Sequence, residues 1–282
     1  MINMFNITHH KALSGLLVAS LLIFAGFISS CTQEEGCTDP KALNYNPNAK
    51  ESNGDCRYPA AEPNTNGTLK FNLSQLFNGN ILDTAAVYTL NNGQRFRLAT
   101  LRYYISKITL VKSDSSEVVI PESYLLVKPS ATEYIAGEAE PGTYVKLKFY
   151  LGLDSATNSG GIMPVDRPSG HPLALQNPSM FWTWSTGYIF MKMEGLSDTL
   201  PSGALTQNFS WHLGENALRR TVEIPLNFTL VTGQTTSVAL KAELNDVFKH
   251  IDFKTDRMTH TMDNRSLANA IMDYAALMFS KQ

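Results

Sequence analysis

Residues 221–244, TVEIPLNFTLVTGQTTSVALKAEL, decide how this chain folds. Val222, Ile224, Leu226, Phe228 and Leu230 occupy every second position, with polar or smaller residues between them. Side chains of an extended strand alternate between two faces, so this spacing predicts a strand with one face buried. After Thr232-Gly233-Gln234, the residues Val238, Leu240, Ala242 and Leu244 repeat the pattern, and the two strands are expected to pair as a hairpin. Val145, Leu147, Phe149 and Leu151 alternate likewise, while Arg97–Val111 (RLATLRYYISKITLV) is β-rich but long enough to bend or break. Only the C-terminus reads as helix: Asn264 is placed to cap it, and Leu267, Ile271, Ala275 and Met278 fall on one face. Many short strands, turns between them and one terminal helix predict an all-β fold over residues 68–282. The expected form is a two-sheet antiparallel sandwich with one C-terminal helix.

Upstream the chain changes character. Residues 1–30 read as a lipoprotein signal peptide, with a polar start up to Lys11 and an apolar run from Leu13 to Ile28. That run is shorter than the roughly 20 residues a membrane-spanning helix needs. Ile28-Ser29-Ser30-Cys31 resembles a lipobox, which implies acylation of Cys31 and a lipid anchor in the cell envelope, at the outer membrane, facing the periplasm or the exterior. Residues 31–35 form the lipidated tether. With Cys31 lipidated, Cys37 and Cys56 remain as a pair in an oxidising compartment. Such a link stabilises by about 3 kcal/mol in the chain-entropy account. Residues 36–59, GCTDPKALNYNPNAKESNGDCRYP, resemble a short GCTDPxAxNYNP module that recurs in secreted proteins of Bacteroidetes. Its Asp-Pro, Asn-Pro and Asn-Gly pairs predict a small disulfide-closed loop. The oxygens of Asp39, Asn44, Asn46, Asn48 and Asp55 suit a hard cation such as calcium, and turn chemistry alone also accounts for them. Residues 60–67 read as a linker.

Composition narrows the function. Hydrophobic residues make up 43% of the chain, charged residues 17%, and the formal net charge is −2, which fits a globular core without the basic stripe that nucleic acid requires. GxSxG, HExxH, CxxC and phosphate-cradling glycine loops are all missing, and the carboxylates are scattered, so no enzyme is expected. His9 and His10 belong to the signal peptide, leaving His171, His212, His250 and His260. If Arg257-Met258-Thr259-His260-Thr261-Met262 is extended, Met258, His260 and Met262 share a face. A thioether–imidazole–thioether row suits Cu(I); the other reading has both methionines filling core space beside the terminal helix. Trp182 and Trp184 lie two apart in PSMFWTWSTGYIFMKMEG (178–195), which reads as a central core strand.

That last segment resembles the MFWTW-x-x-GY-x-F-x-K-x-EG signature of the MbnP-like copper-binding domain family. Phe209-Ser210-Trp211-His212-Leu213-Gly214 is similar to its F-x-[aromatic]-HLG motif, Leu101–Ile108 to its LRYYIS strand, and Gly152-Leu153-Asp154 to its GLD turn. His260 matches a histidine shortly before the final helix. The resemblance implies Cu(I) held by two histidines and a nitrogen of an oxidised tryptophan, the oxidation being the work of a dihaem peroxidase-like partner. His212 is then the first ligand, followed by His260 and His171. Trp182, Trp184 or Trp211 would be the oxidised residue, with Met258 or Met262 completing the site if none is oxidised. His250 is expected at the surface. Two functional readings result: an envelope lipoprotein binding copper for storage, scavenging or delivery, or a metal-free surface sandwich binding a protein or glycan. Convergence of His212, His260 and His171 separates them.

Overall fold

The computed structural model of the protein describes residues 34–59, 65–182, 187–200 and 204–282. Cys31, the apolar run before it, most of the linker and Trp184 lie outside the described residues. The chain divides into two compact units, one ending at Glu62 and the other beginning at Pro63.

The first unit is a loop closed by the Cys37–Cys56 disulfide. Among its described residues Glu35–Gly36 and Glu51–Ser52 run parallel as a short ladder, and Cys37 meets Tyr45 in an isolated bridge. The oxygens that suit calcium by sequence are spent separately. Asp39 accepts from the Lys41 amide and the Tyr58 hydroxyl, Asn44 from the Arg57 amide, and Asn46 from the Asn48 amide. The bonds to Asp39 from Lys41 and to Asn46 from Asn48 close local turns, whereas those from Tyr58 and Arg57 tie the end of the loop back to its start.

The second unit is built on β1 (Gly67–Phe77), β2 (Arg95–Val111), β3 (Glu133–Ala139), β4 (Gly142–Leu151), β5 (Ile189–Ser197), β6 (Gln207–Gly214), β7 (Arg220–Leu230) and β8 (Thr235–Glu243). The helix α1 (Arg265–Leu277) follows. One sheet has the order β7-β4-β2-β5-β6, with Met258–Thr259 beyond β6. The other runs Phe279–Lys281, β8, β1, Asn80–Ile81, and β3 also pairs with β1. Leu69, Phe71 and Leu73 from the second sheet and Tyr103, Leu147, Met191 and Leu213 from the first are completely buried in one core.

Two expectations need correction. The strands flanking Thr232-Gly233-Gln234 are not a hairpin: β7 pairs with β4 in one sheet, and β8 pairs with β1 in the other. Both strands keep the predicted buried residues, Phe228 only partly, but these face the core from opposite sides instead of lying side by side. Alternation states which face is buried, not which strand lies alongside. The sheets are also not purely antiparallel, because β8 runs parallel to β1 and Met258–Thr259 parallel to β6.

Smaller departures have local causes. A register shift between Tyr144 and Lys146 turns Tyr144 into the core in place of Val145. Lys107, at φ 50°, bends β2 where its pairing with β4 shifts register. The regular strand of the tryptophan segment begins only at Ile189, and Phe181 meets Tyr188 in an isolated bridge. The helix follows expectation: the Asn264 side chain accepts the Leu267 N–H at 3.2 Å, and Leu267, Ile271, Ala275 and Met278 are buried.

Candidate metal centre

The site rests on the β5–β6 ladder. Met193 pairs with Trp211 and Met191 with Leu213, whereas Lys192 pairs with His212 and Glu194 with Ser210. Alternation directs the first set into the core and Lys192, Glu194, Ser210 and His212 to the opposite face. Two motif glycines permit close packing around this ladder. A Cβ on Gly195 would overlap the Arg97 carbonyl and the Phe209 ring. One on Gly214 would lie 2.6 Å from the Trp182 ring and 2.5 Å from the Tyr188 carbonyl oxygen. The indole of Trp182 thus covers the strand two residues beyond His212, which explains the glycine that ends the HLG motif.

His260 arrives from the next strand. Met258 lies opposite Ser210 and Thr259 opposite Trp211, so the following residue comes up beside His212. The two imidazole rings stand edge to face, with centroids 4.8 Å apart and planes at 83°. The chain then reverses at Thr261, whose φ is 70°, and the Met262 N–H donates to the His260 carbonyl at 2.8 Å. A positive φ is uncommon for a β-branched residue, and side-chain bonds hold this one in place. The Thr261 hydroxyl donates to the His212 carbonyl at 2.9 Å and accepts the Gly214 N–H at 3.0 Å. The turn that carries His260 is strapped to the strand that carries His212.

Each imidazole also meets a carboxylate. His212 Nε2 lies 2.7 Å from Glu194 Oε1 and 3.2 Å from the Ser210 hydroxyl. Lys192, only 7% exposed, sits 3.5 Å from the same Glu194 oxygen and donates to the Ser179 carbonyl. His260 Nδ1 lies 3.1 Å from Asp263 Oδ2, and the His260 amide donates to Asp263 Oδ1 at 2.6 Å. Among the described residues no hydrogen bond is made by Nδ1 of His212 or by Nε2 of His260.

Burial pushes His212 below the ordinary imidazole pKa; Glu194 opposes this, and the Lys192 and His260 charges reinforce it. Burial alone would raise Glu194, but the hydrogen bond from His212 and the Lys192 ammonium bring it below the ordinary carboxylate value. The same balance of burial against hydrogen bonds from His260 lowers Asp263. Around neutral pH this is a neutral His212 imidazole beside an ionised carboxylate.

The other expected site residues fall elsewhere or differ in role. His171 does not join the pair. Its ring lies 6.0 Å from that of Tyr124, and its Nδ1 accepts the Leu173 N–H at 3.0 Å. It stands beside a cleft of about 690 Å³, lined by residues including Tyr124, Lys128, Arg167 and Pro172. No His, Cys, Asp or Glu group of three or more is placed to hold a metal among the described residues. Trp211 is the core-facing neighbour of His212 and is fully buried, its Nε1 donating to the Asp256 carbonyl, so it cannot share an ion with His212. Met258 and Met262 do not fill core space: they are 45% and 65% exposed. Met258 stays on the His260 side, whereas the reversal at Thr261 takes Met262 out of the row and onto the Arg265 guanidinium. His250 is exposed and stacks on Tyr274. Sequence reasoning missed the Glu194 and Asp263 partners. The K-x-E spacing put Glu194 on the strand face of Lys192, but nothing in it named the facing residue.

Comparison with known proteins points the same way as the motifs. The MbnP family model matches residues 66–265. Among solved structures, MbnP from Methylosinus trichosporium is 16% identical, with 69% of this chain and 81% of that chain covered and a TM-score of 0.48. No curated protein matches the chain. The family match takes in the LRYYIS strand, the tryptophan segment, the HLG motif and both paired histidines, over more than half of the sequence, and the chain therefore belongs to the MbnP family.

Proposed function

We propose that this protein binds copper, as Cu(I), in the cell envelope, for storage, scavenging or delivery, with no catalytic turnover of its own. The observation that carries this reading is the approach of two imidazoles, His212 and His260, brought together by a parallel strand pairing and a strapped turn. The donor chemistry fits. Imidazole nitrogen suits copper, and the thioether of Met258, on the same face, is a soft ligand that favours Cu(I) over calcium or magnesium. His212 and His260 would hold the ion, and Met258, two residues before His260 on the same strand face, is the soft side chain to add to them. Trp182, over Gly214, suits the role of an oxidised ligand better than the core-facing Trp211. A dihaem peroxidase-like enzyme would be the maturation partner, and a lipid on Cys31 the membrane anchor.

The test is an anaerobic Cu(I) titration of the protein against a competing chelator. One equivalent should be withheld from the chelator, and His212→Ala should release it, while His171→Ala should leave it in place. If the wild-type protein withholds no copper, the metal-free interaction module becomes the better reading.

A further inference from the structure

The two imidazoles are held by carboxylates through different ring atoms. Glu194 meets His212 at Nε2, and Asp263 meets His260 at Nδ1. A carboxylate accepts hydrogen bonds only, so in a neutral ring the nitrogen facing it carries the proton and the other carries the lone pair. Glu194 is firmly held in this position. Its partner strand β6 is in register, Lys192 stands 3.5 Å from its Oε1, and Thr100 of β2 pairs with it on the other side. Asp263 is fixed through two further bonds, from the His260 amide and from the Thr259 hydroxyl at 3.3 Å. Ser210 cannot reverse the assignment at His212, because its hydroxyl accepts from Nε2–H as readily as it donates.

We propose that Glu194 and Asp263 are positioning residues that lock the rings as opposite tautomers, His212 protonated on Nε2 and His260 on Nδ1. An ion between the rings is then offered Nδ1 of His212 and Nε2 of His260. This rests on the copper reading for its purpose, but the tautomers themselves belong to the metal-free protein. It also gives the Lys192-x-Glu194 pair of the tryptophan segment a role, since the lysine stands against the glutamate carboxylate and the glutamate orients the histidine. Carboxylates behind ligating imidazoles typically change metal affinity 10- to 100-fold when removed.

The experiment has two arms. In the first, long-range proton–nitrogen spectra of the nitrogen-15-labelled, metal-free protein are recorded at neutral pH. His212 should show the pattern of a ring protonated on Nε2 alone, and His260 that of a ring protonated on Nδ1 alone. In Asp263→Ala the His260 signals, and in Glu194→Ala the His212 signals, should move toward values averaged over both tautomers. The proposal is overturned if His212 carries its proton on Nδ1 or on both nitrogens, if His260 carries it on Nε2, or if the variants leave the patterns unchanged. The second arm is the Cu(I) competition titration, in which Glu194→Ala should weaken binding about 10- to 100-fold while Glu117→Ala, on a distant salt bridge, should not. A wild-type protein that binds no copper yet shows the expected tautomers contradicts the copper reading and leaves the positioning assignment standing. Unaltered affinity in Glu194→Ala contradicts the positioning role.

Discussion

Thr261 concentrates much of the site's structural cost in one residue. Its positive φ is unfavourable for a β-branched side chain, yet its hydroxyl satisfies two backbone groups of β6 at once. Thr261→Val keeps the shape and removes both bonds. It should cost about 1–3 kcal/mol in denaturant unfolding, while Thr261→Ser should stay near wild type. His212 supplies a second residue-scale test. Burial lowers its pKa in the fold, so between that value and about 6.5 the unfolded chain binds more protons than the folded one. Stability therefore rises with pH across this window: the contribution is complete above about 6.5, shrinks as pH falls, and levels off below the folded value. Thermal melts of the metal-free protein from about pH 7.5 down to about 5 should show this loss, and His212→Gln should flatten it. His171 shows the limit of reading single residues. The resemblance ranked it third among the ligands, but the fold sets it beside Tyr124 instead.

At the scale of elements, β6 combines three roles in one alternating sequence. Trp211 and Leu213 anchor it in the core, Ser210 and His212 face outward, and Gly214 makes room for Trp182. Gly214→Ala would drive a methyl group into the Trp182 ring and the Tyr188 carbonyl. The expected cost is about 1–3 kcal/mol, with tryptophan emission moving to longer wavelength as Trp182 is displaced. The buried faces of β7 and β8 and the residues of α1 were legible in the sequence, because period and capping are local properties. That β7 and β8 enter different sheets was not. A short turn can close a hairpin or carry the chain across a sandwich, and the choice is made by β1 and β4, which lie far upstream.

For the whole molecule, the two-sheet body and its terminal helix followed from patterning, while the pairing of His212 with His260 followed from none of it. That pair depends on a short parallel ladder between segments 48 residues apart, Ser210 with Met258. Parallel partners distant in sequence leave no local signal: alternation singled out His260, and the motif resemblance alone joined it to His212. The central claim is that these two rings share one Cu(I) ion, and X-ray absorption on the copper-loaded protein tests it most directly. The expected spectrum is that of Cu(I) with outer-shell scattering from two imidazoles, falling to one in His260→Ala. A copper environment of sulfur alone, or imidazole scattering that His260→Ala leaves unchanged, would contradict it.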